Sequence, residues 1–262
     1  MCGIVGYVGD KDATDVVIEG LRRLEYRGYD SAGVAIVTST GVQSRKRAGK
    51  LANLESALAE TPLPNTTVGI GHTRWATHGA PNDVNAHPHL SEDGRLAVIH
   101  NGIIENFAEL RDQLQAGGAT FLSETDTEVA AHLLARMLAD SGDLTEAMQR
   151  TCRELRGAFT LVAASADYPD TLVGARRNSP LVVGLGDGET FLASDVSAFI
   201  AHTRQAMELG QDQVITITRD GVEVSDFDGA PAKGTEYEVT WDASAAEKGG
   251  YDLFMLKEIA EQ

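Results

Sequence analysis

Cysteine is nearly missing: only Cys2 and Cys152 occur in 262 residues, so no disulfide framework of the kind that staples secreted domains can form. Reduced thiols fit a cytoplasmic chain. No apolar stretch approaches the roughly 20 residues that cross a bilayer, and no basic segment followed by an apolar one opens the sequence. Neither export nor a membrane partner is expected. Basic residues are also scarce, 22 Lys and Arg against 39 Asp and Glu, for a formal charge of −17. Nucleic acid is therefore not an expected partner, because phosphate backbones are held by clustered cations. The one basic cluster, Ser44-Arg45-Lys46-Arg47, is short and sits in a strand-like segment, where solvated side chains account for it. HExxH and paired CxxC patterns are lacking too. His72, His78, His87, His89 and His100 crowd together without ligand spacing, and His87-Pro88-His89 reads as a turn, so no metal site is expected.

What is present is a globular composition, 42% hydrophobic and 23% charged, enough for one large domain or two small ones with a core. Apolar runs predict buried strands at residues 3–8, 31–37, 68–73 and 96–100. Helical periodicity marks 13–24, 51–58 and 106–115, and a further helix opens with Asp126 as N-cap and Val129, His132, Leu133 and Met137 as its inward stripe. From residue 158 onward short strands follow one another at 159–163, 171–174, 181–184 and 190–193, and a hairpin is expected at 214–224. Strands come in adjacent pairs more often than in strand-helix alternation, which favours a layered α+β sandwich over a parallel sheet.

Several segments carry chemistry. If Met1 is removed, Cys2 bears a thiol and an α-amine on one residue; the amine titrates near 8, close to working pH, and can serve as the thiol's base. A small buried residue opening a strand is the structural alternative. Gly71-His72-Thr73-Arg74-Trp75-Ala76-Thr77-His78-Gly79 puts a guanidinium fork, an indole, a hydroxyl and an imidazole on one loop, suited to a carboxylate ligand and to closing over it. His100-Asn101-Gly102 offers an amide and a glycine N–H for an oxyanion, or a plain hairpin turn. Asp126, in Ser123-Glu124-Thr125-Asp126-Thr127-Glu128, either caps its helix or binds an ammonium group. Cys152 reads as an inert helix residue, and Gly184-Leu185-Gly186-Asp187-Gly188 as a turn between strands rather than a dinucleotide fingerprint.

Together, MCGIVGY at 1–7, LRRLEYRGYDSAG at 21–33, GHTRWATHG at 71–79, NAHPH at 85–89, HNGIIEN at 100–106 and SETDTEV at 123–129 resemble the glutaminase domain of the glutamine–fructose-6-phosphate aminotransferases. The likeness continues in order through RGA at 156–158, NSPLVVGLG at 178–186 and MLKEIAEQ at 255–262. It implies a four-layer αββα sandwich of the N-terminal-nucleophile hydrolase type, with residues 1–240 as the glutaminase domain and 241–262 beginning a linker to a sugar isomerase domain. It further implies Cys2 as nucleophile, Asn101 and Gly102 as oxyanion hole, Arg74 with Thr77 and His78 on the carboxylate of L-glutamine, Asp126 on its ammonium, and Trp75 in a covering loop. Arg27 falls in the neighbouring shell without a chemical step. Neither metal nor organic cofactor is implied; fructose 6-phosphate would be the substrate of the isomerase domain, and the full-length protein a homodimer. Another class II amidotransferase or amide hydrolase, or a noncatalytic domain that keeps Met1, fits the same residues.

Overall fold

The computed structural model describes residues 2–240. The expected linker at 241–262 and the fate of Met1 lie outside the described residues. In chain order the strands are β1 (Gly3–Val8), β2 (Ser31–Thr38), β3 (Gly41–Ala48), β4 (Val68–Arg74), β5 (His89–Leu90), β6 (Leu96–Ile104), β7 (Gly157–Ser165), β8 (Leu172–Arg177), β9 (Val182–Leu185), β10 (Thr190–Ala193), β11 (Gln205–Glu208), β12 (Gln213–Thr218), β13 (Gly221–Asp226) and β14 (Thr235–Glu238). The helices are α1 (Ala13–Arg23), α2 (Leu51–Glu60), α3 (Phe107–Ala116), α4 (Asp126–Ser141) and α5 (Leu144–Glu154).

Eight strands form one sheet in the order β14-β11-β9-β10-β1-β4-β2-β3, and six form a second in the order β13-β12-β8-β7-β6-β5. Their faces pack on one another through Ile4, Val8, Ala35, Ile70, Ile99, Val162, Leu192 and Ile215. Helices α1 and α2 cover the outer face of the first sheet through Val17, Leu21, Leu51 and Leu54. Helices α4 and α5 cover the second through Val129, Leu133, Ala147 and Cys152. The four layers run α, β, β, α, as the sequence led us to expect. Strand β1 shows why its sequence is apolar throughout: Ile4 and Val8 face the opposite sheet, while Val5 and Tyr7 face the helices. A strand buried on both faces has no reason to alternate.

Several local expectations needed correction. Strand β6 does not stop at the Asn101-Gly102 pair; it continues through both, with Asn101 opposite Thr160 and Gly102 opposite Phe159 on β7. The tertiary ladder overrides the turn preference of the dipeptide. The N-cap of α4 is Thr125, whose hydroxyl accepts from the Glu128 N–H, so Asp126 is the first helical residue. Strands β5, β11 and β14 left little trace in the sequence, because β5 has two residues and β14 is exposed along its length.

Candidate active site

Antiparallel pairing brings the start of β1 beside the end of β4, with Gly3 opposite Thr73, and the Thr73 hydroxyl accepts from the Gly3 N–H at 3.1 Å. Cys2 is thereby held next to Trp75, whose backbone N–H donates to Cys2 Sγ at 3.1 Å. From the second sheet, Asn101 Nδ2 donates to the Cys2 carbonyl at 3.1 Å. One sheet supplies the thiol and the other the amide. Burial pushes the Cys2 thiol above its ordinary value, against the opposing pull of the Trp75 N–H, so the resting sulfur is a thiol that needs a base.

A cavity of about 580 Å³ opens over these atoms. Cys2, Asn101, Gly102, Arg74, Trp75, Thr77 and Asp126 all lie on its wall, and so does Arg27. The ring of His78 is turned away, edge-on to Phe107 with centroids 5.0 Å apart. Asn178, Ser179 and Pro180 also line the cavity. Gly102 adopts φ +118°, and a Cβ there would stand 2.0 Å from the Ala158 carbonyl oxygen. That conformation and that clearance admit only glycine.

Arg74 is 4% exposed and gathers its own loop, donating to the carbonyls of His78, Gly79 and Ala80. Asp126 is buried, with Oδ2 accepting the Ile104 N–H at 2.9 Å. Because Thr125 does the capping, this carboxylate is free to face the cavity from the first turn of α4. A guanidinium and a buried carboxylate on one wall suit the two charges of an amino-acid zwitterion. The thiol and the amide donor suit acyl transfer.

Two residues contribute more than their sequence positions suggested. Arg27, fixed by Asp195 Oδ2 at 3.0 Å and the Ser194 carbonyl at 3.2 Å, also reaches the Cys2 carbonyl at 3.5 Å. Asp30 clamps both ends of the Trp75 segment: its N–H donates to the Arg74 carbonyl at 2.7 Å, and its Oδ2 accepts from the Ala76 N–H at 2.5 Å. Both belong to the Arg-Gly-Tyr-Asp stretch that ends the first helical region, a polar break whose function only long-range contacts reveal. Trp75 is 57% exposed, and its ring lies against Gly28, where a Cβ would come within 2.8 Å of the indole. Four of the crowded histidines, His72, His87, His89 and His100, are buried, and burial lowers the pKa of each.

Comparison with known proteins places this geometry among relatives. The glutamine amidotransferase domain family matches residues 59–228. A glutamine–fructose-6-phosphate aminotransferase [isomerizing] of Streptomyces coelicolor is 67% identical over the whole of this chain and 43% of its own length. The protein of that name from Corynebacterium efficiens is 62% identical over 100% of this chain and 43% of its own. The chain thus spans less than half the length of these relatives. Among solved structures, the glutamine phosphoribosylpyrophosphate amidotransferase of B. subtilis superposes with a TM-score of 0.73 at 26% identity, over 86% of this chain and 49% of the other.

Proposed function

The chain belongs to the glutamine amidotransferase domain family, and on that premise we propose that it hydrolyses L-glutamine to glutamate and ammonia with Cys2 as the nucleophile. The observation that carries the reading is the meeting, in one cavity, of a half-buried thiol, an amide donor, a guanidinium and a buried carboxylate. Removal of Met1 frees the Cys2 amine. That amine takes the thiol proton as sulfur attacks the side-chain amide carbon. Asn101 Nδ2 and the Gly102 N–H receive the oxyanion. The protonated amine then gives its proton to the departing nitrogen, ammonia leaves, and a γ-glutamyl thioester remains. Water, deprotonated by the same amine, cleaves the thioester to glutamate and restores the thiol.

Arg74 and Thr77 meet the α-carboxylate, His78 contributes through its main chain rather than its ring, and Asp126 meets the ammonium group. Arg74's grip on the His78 carbonyl supports treating these three as one unit. Trp75 covers the bound amino acid and limits access of water. Arg27 steadies the Cys2 backbone. The names of the relatives support a destination for the ammonia: in a full-length protein it would aminate fructose 6-phosphate on a sugar isomerase domain joined through residues 241–262, yielding glucosamine 6-phosphate. We place such a protein in the cytosol, in keeping with the two free cysteines of this chain, and assign it a homodimeric assembly.

The test is acyl trapping. Acid-quenched enzyme from steady-state turnover should carry a γ-glutamyl group on Cys2 by peptide mass analysis, and Cys2→Ala should neither turn over nor trap it. An adduct elsewhere, or turnover by Cys2→Ala, would overturn the assignment.

A further inference from the structure

His72, on β4, is fully buried and belongs to neither the oxyanion pair nor the substrate contacts. Its Nε2 lies 2.8 Å from Asn101 Oδ1. We infer that His72 is a positioning residue: by donating Nε2–H to Asn101 Oδ1 it fixes the amide so that Nδ2 faces Cys2. The inference rests on the glutaminase reading of the site.

The argument turns on which way a terminal amide faces. An Asn amide has an acceptor end and a donor end of nearly equal size, so only its neighbours choose between the two orientations. On one side of Asn101 stands the Cys2 carbonyl, an obligate acceptor, 3.1 Å from Nδ2. On the other stands the His72 imidazole. If His72 presented a lone pair at Nε2, the amide would gain by turning Nδ2 toward it, and Oδ1 would then confront the Cys2 carbonyl oxygen. A proton on Nε2 satisfies both contacts at once and penalises the flipped amide on both sides.

The surroundings keep the imidazole in that state. Burial pushes the His72 pKa down to about 3, against the hydrogen bond to Asn101 and a weaker pull from the His100 backbone, while the charges of His100 and Arg74 lower it further. A neutral ring has one N–H to give. Nδ1 makes no hydrogen bond, whereas Nε2 faces the Asn101 Oδ1 acceptor at 2.8 Å, so the proton gains most on the Nε2 side. The His87 ring packs against it with centroids 4.2 Å apart, which fixes the plane. An oxyanion donor acts because it is already aimed when charge develops, and His72 supplies that aim from the opposite sheet.

Two measurements test this. In wild-type protein the imidazole nitrogen shifts of His72 should report the Nε2–H tautomer; an Nδ1–H tautomer would overturn the inference without any mutation. In kinetics, His72→Met should lower kcat by roughly 10²-fold, the scale of a misplacement of about 1 Å in a preorganised site, with KM for glutamine nearly unchanged. His72→Gln, which keeps a donor, should recover most of the rate. The double variant with Asn101→Ala should be no slower than Asn101→Ala alone, since an amide that is gone cannot be misaimed. Full additivity, an unchanged kcat in His72→Met, or an effect confined to KM would each refute the positioning role. If instead Asn101→Ala itself leaves kcat intact, the oxyanion reading fails, and that result is visible separately.

Discussion

The Trp75 N–H and the Cys2 sulfur stand 3.1 Å apart, although 73 positions separate them in the chain. The contact joins the residue that opens β1 to the loop that follows β4. It makes the proposed covering loop a hydrogen-bond partner of the proposed nucleophile, so the position of the indole and the state of the thiol are linked. Burial raises the thiol pKa while this bond lowers it. A base beside the sulfur is therefore required, and the proposed free amine of Cys2 is the group that can supply it.

A protein with Met1 retained, or with an uncleavable N-terminal extension, should consequently show no glutamine turnover, because an acylated nitrogen cannot accept the thiol proton. Cys2→Ala should also lose turnover yet still bind glutamine, since the proposed charge contacts at Arg74 and Asp126 remain. Calorimetric titration of both forms together with a glutamate assay checks this. Normal hydrolysis by the extended protein would sink the self-activation mechanism.

Asn101→Ala and Asp126→Ala should separate binding from chemistry. In the proposed roles the amide serves the transition state, and loss of one such donor typically costs about 10²–10³ in kcat. The carboxylate serves ground and transition states alike, so its loss should appear mainly in KM. Steady-state kinetics of the two variants decides; a reversed pattern would mean that the roles have been exchanged.

Gly102→Ala should damage stability as well as rate. Its φ of +118° is strained for any L side chain, and the new Cβ would sit 2.0 Å from the Ala158 carbonyl oxygen. The strain alone is worth roughly 1–3 kcal/mol, readable as a fall of several degrees in Tm. Gly94→Ala makes the comparison clean: φ there is +68°, but nothing lies within 4 Å of the added methyl. If both variants melted together, the steric part of the argument would be wrong.

Much of this architecture was legible because burial on both faces leaves an unmistakable apolar run, as in residues 3–8, and because the α1 stripe of Val17 and Leu21 follows helical spacing. The site was only partly legible. Sequence reading took Asp126 for the cap of α4, since Asp at a helix start usually caps; Thr125 takes that role, while Asp126 accepts from the Ile104 N–H, a contact 22 positions away. It also offered a turn at Asn101-Gly102, where β7 in fact extends the ladder. Arg27 and Asp30 gave no local signal, because their significance lies in the ends of other strands. His72 was visible only as one of a crowd.

The buried histidines set a direction for acid sensitivity. His72, His87, His89 and His100 all have pKa values lowered by burial, His72 to about 3, against roughly 6.5 for histidine in an unfolded chain. A depressed folded pKa gives stability that is complete above the unfolded value and is lost as pH falls toward the folded one. Unfolding in this window takes up protons, so stability should drop by about 1.4 kcal/mol per pH unit for each such proton. Urea unfolding at pH 7.5 and pH 5 should show a clear loss at the lower value, and His72→Gln should make the slope shallower by close to one proton. Equal stability at the two pH values would contradict the burial of neutral imidazoles.

Fructose 6-phosphate should leave the glutaminase activity of the 262-residue chain unchanged. Every group assigned to amide chemistry lies between Cys2 and Asp126, and the cavity they line is completed by Asn178, Ser179 and Pro180. Its charged wall residues are Arg27, Arg74 and Asp126. Arg27 is tied to Asp195 and to the Ser194 carbonyl, and Arg74 is the group assigned to the glutamine carboxylate, so neither guanidinium is left over for a sugar phosphate. If full-length relatives couple the two substrates, the coupling must act through residues beyond this chain that contact the Trp75 loop, the half-exposed element most open to being ordered from outside. Glutamate release measured with and without the sugar phosphate should therefore coincide on this chain, and glucosamine 6-phosphate should not form. A several-fold stimulation would locate a sugar-responsive element within these residues and would require a phosphate contact that the present arrangement of arginines does not offer.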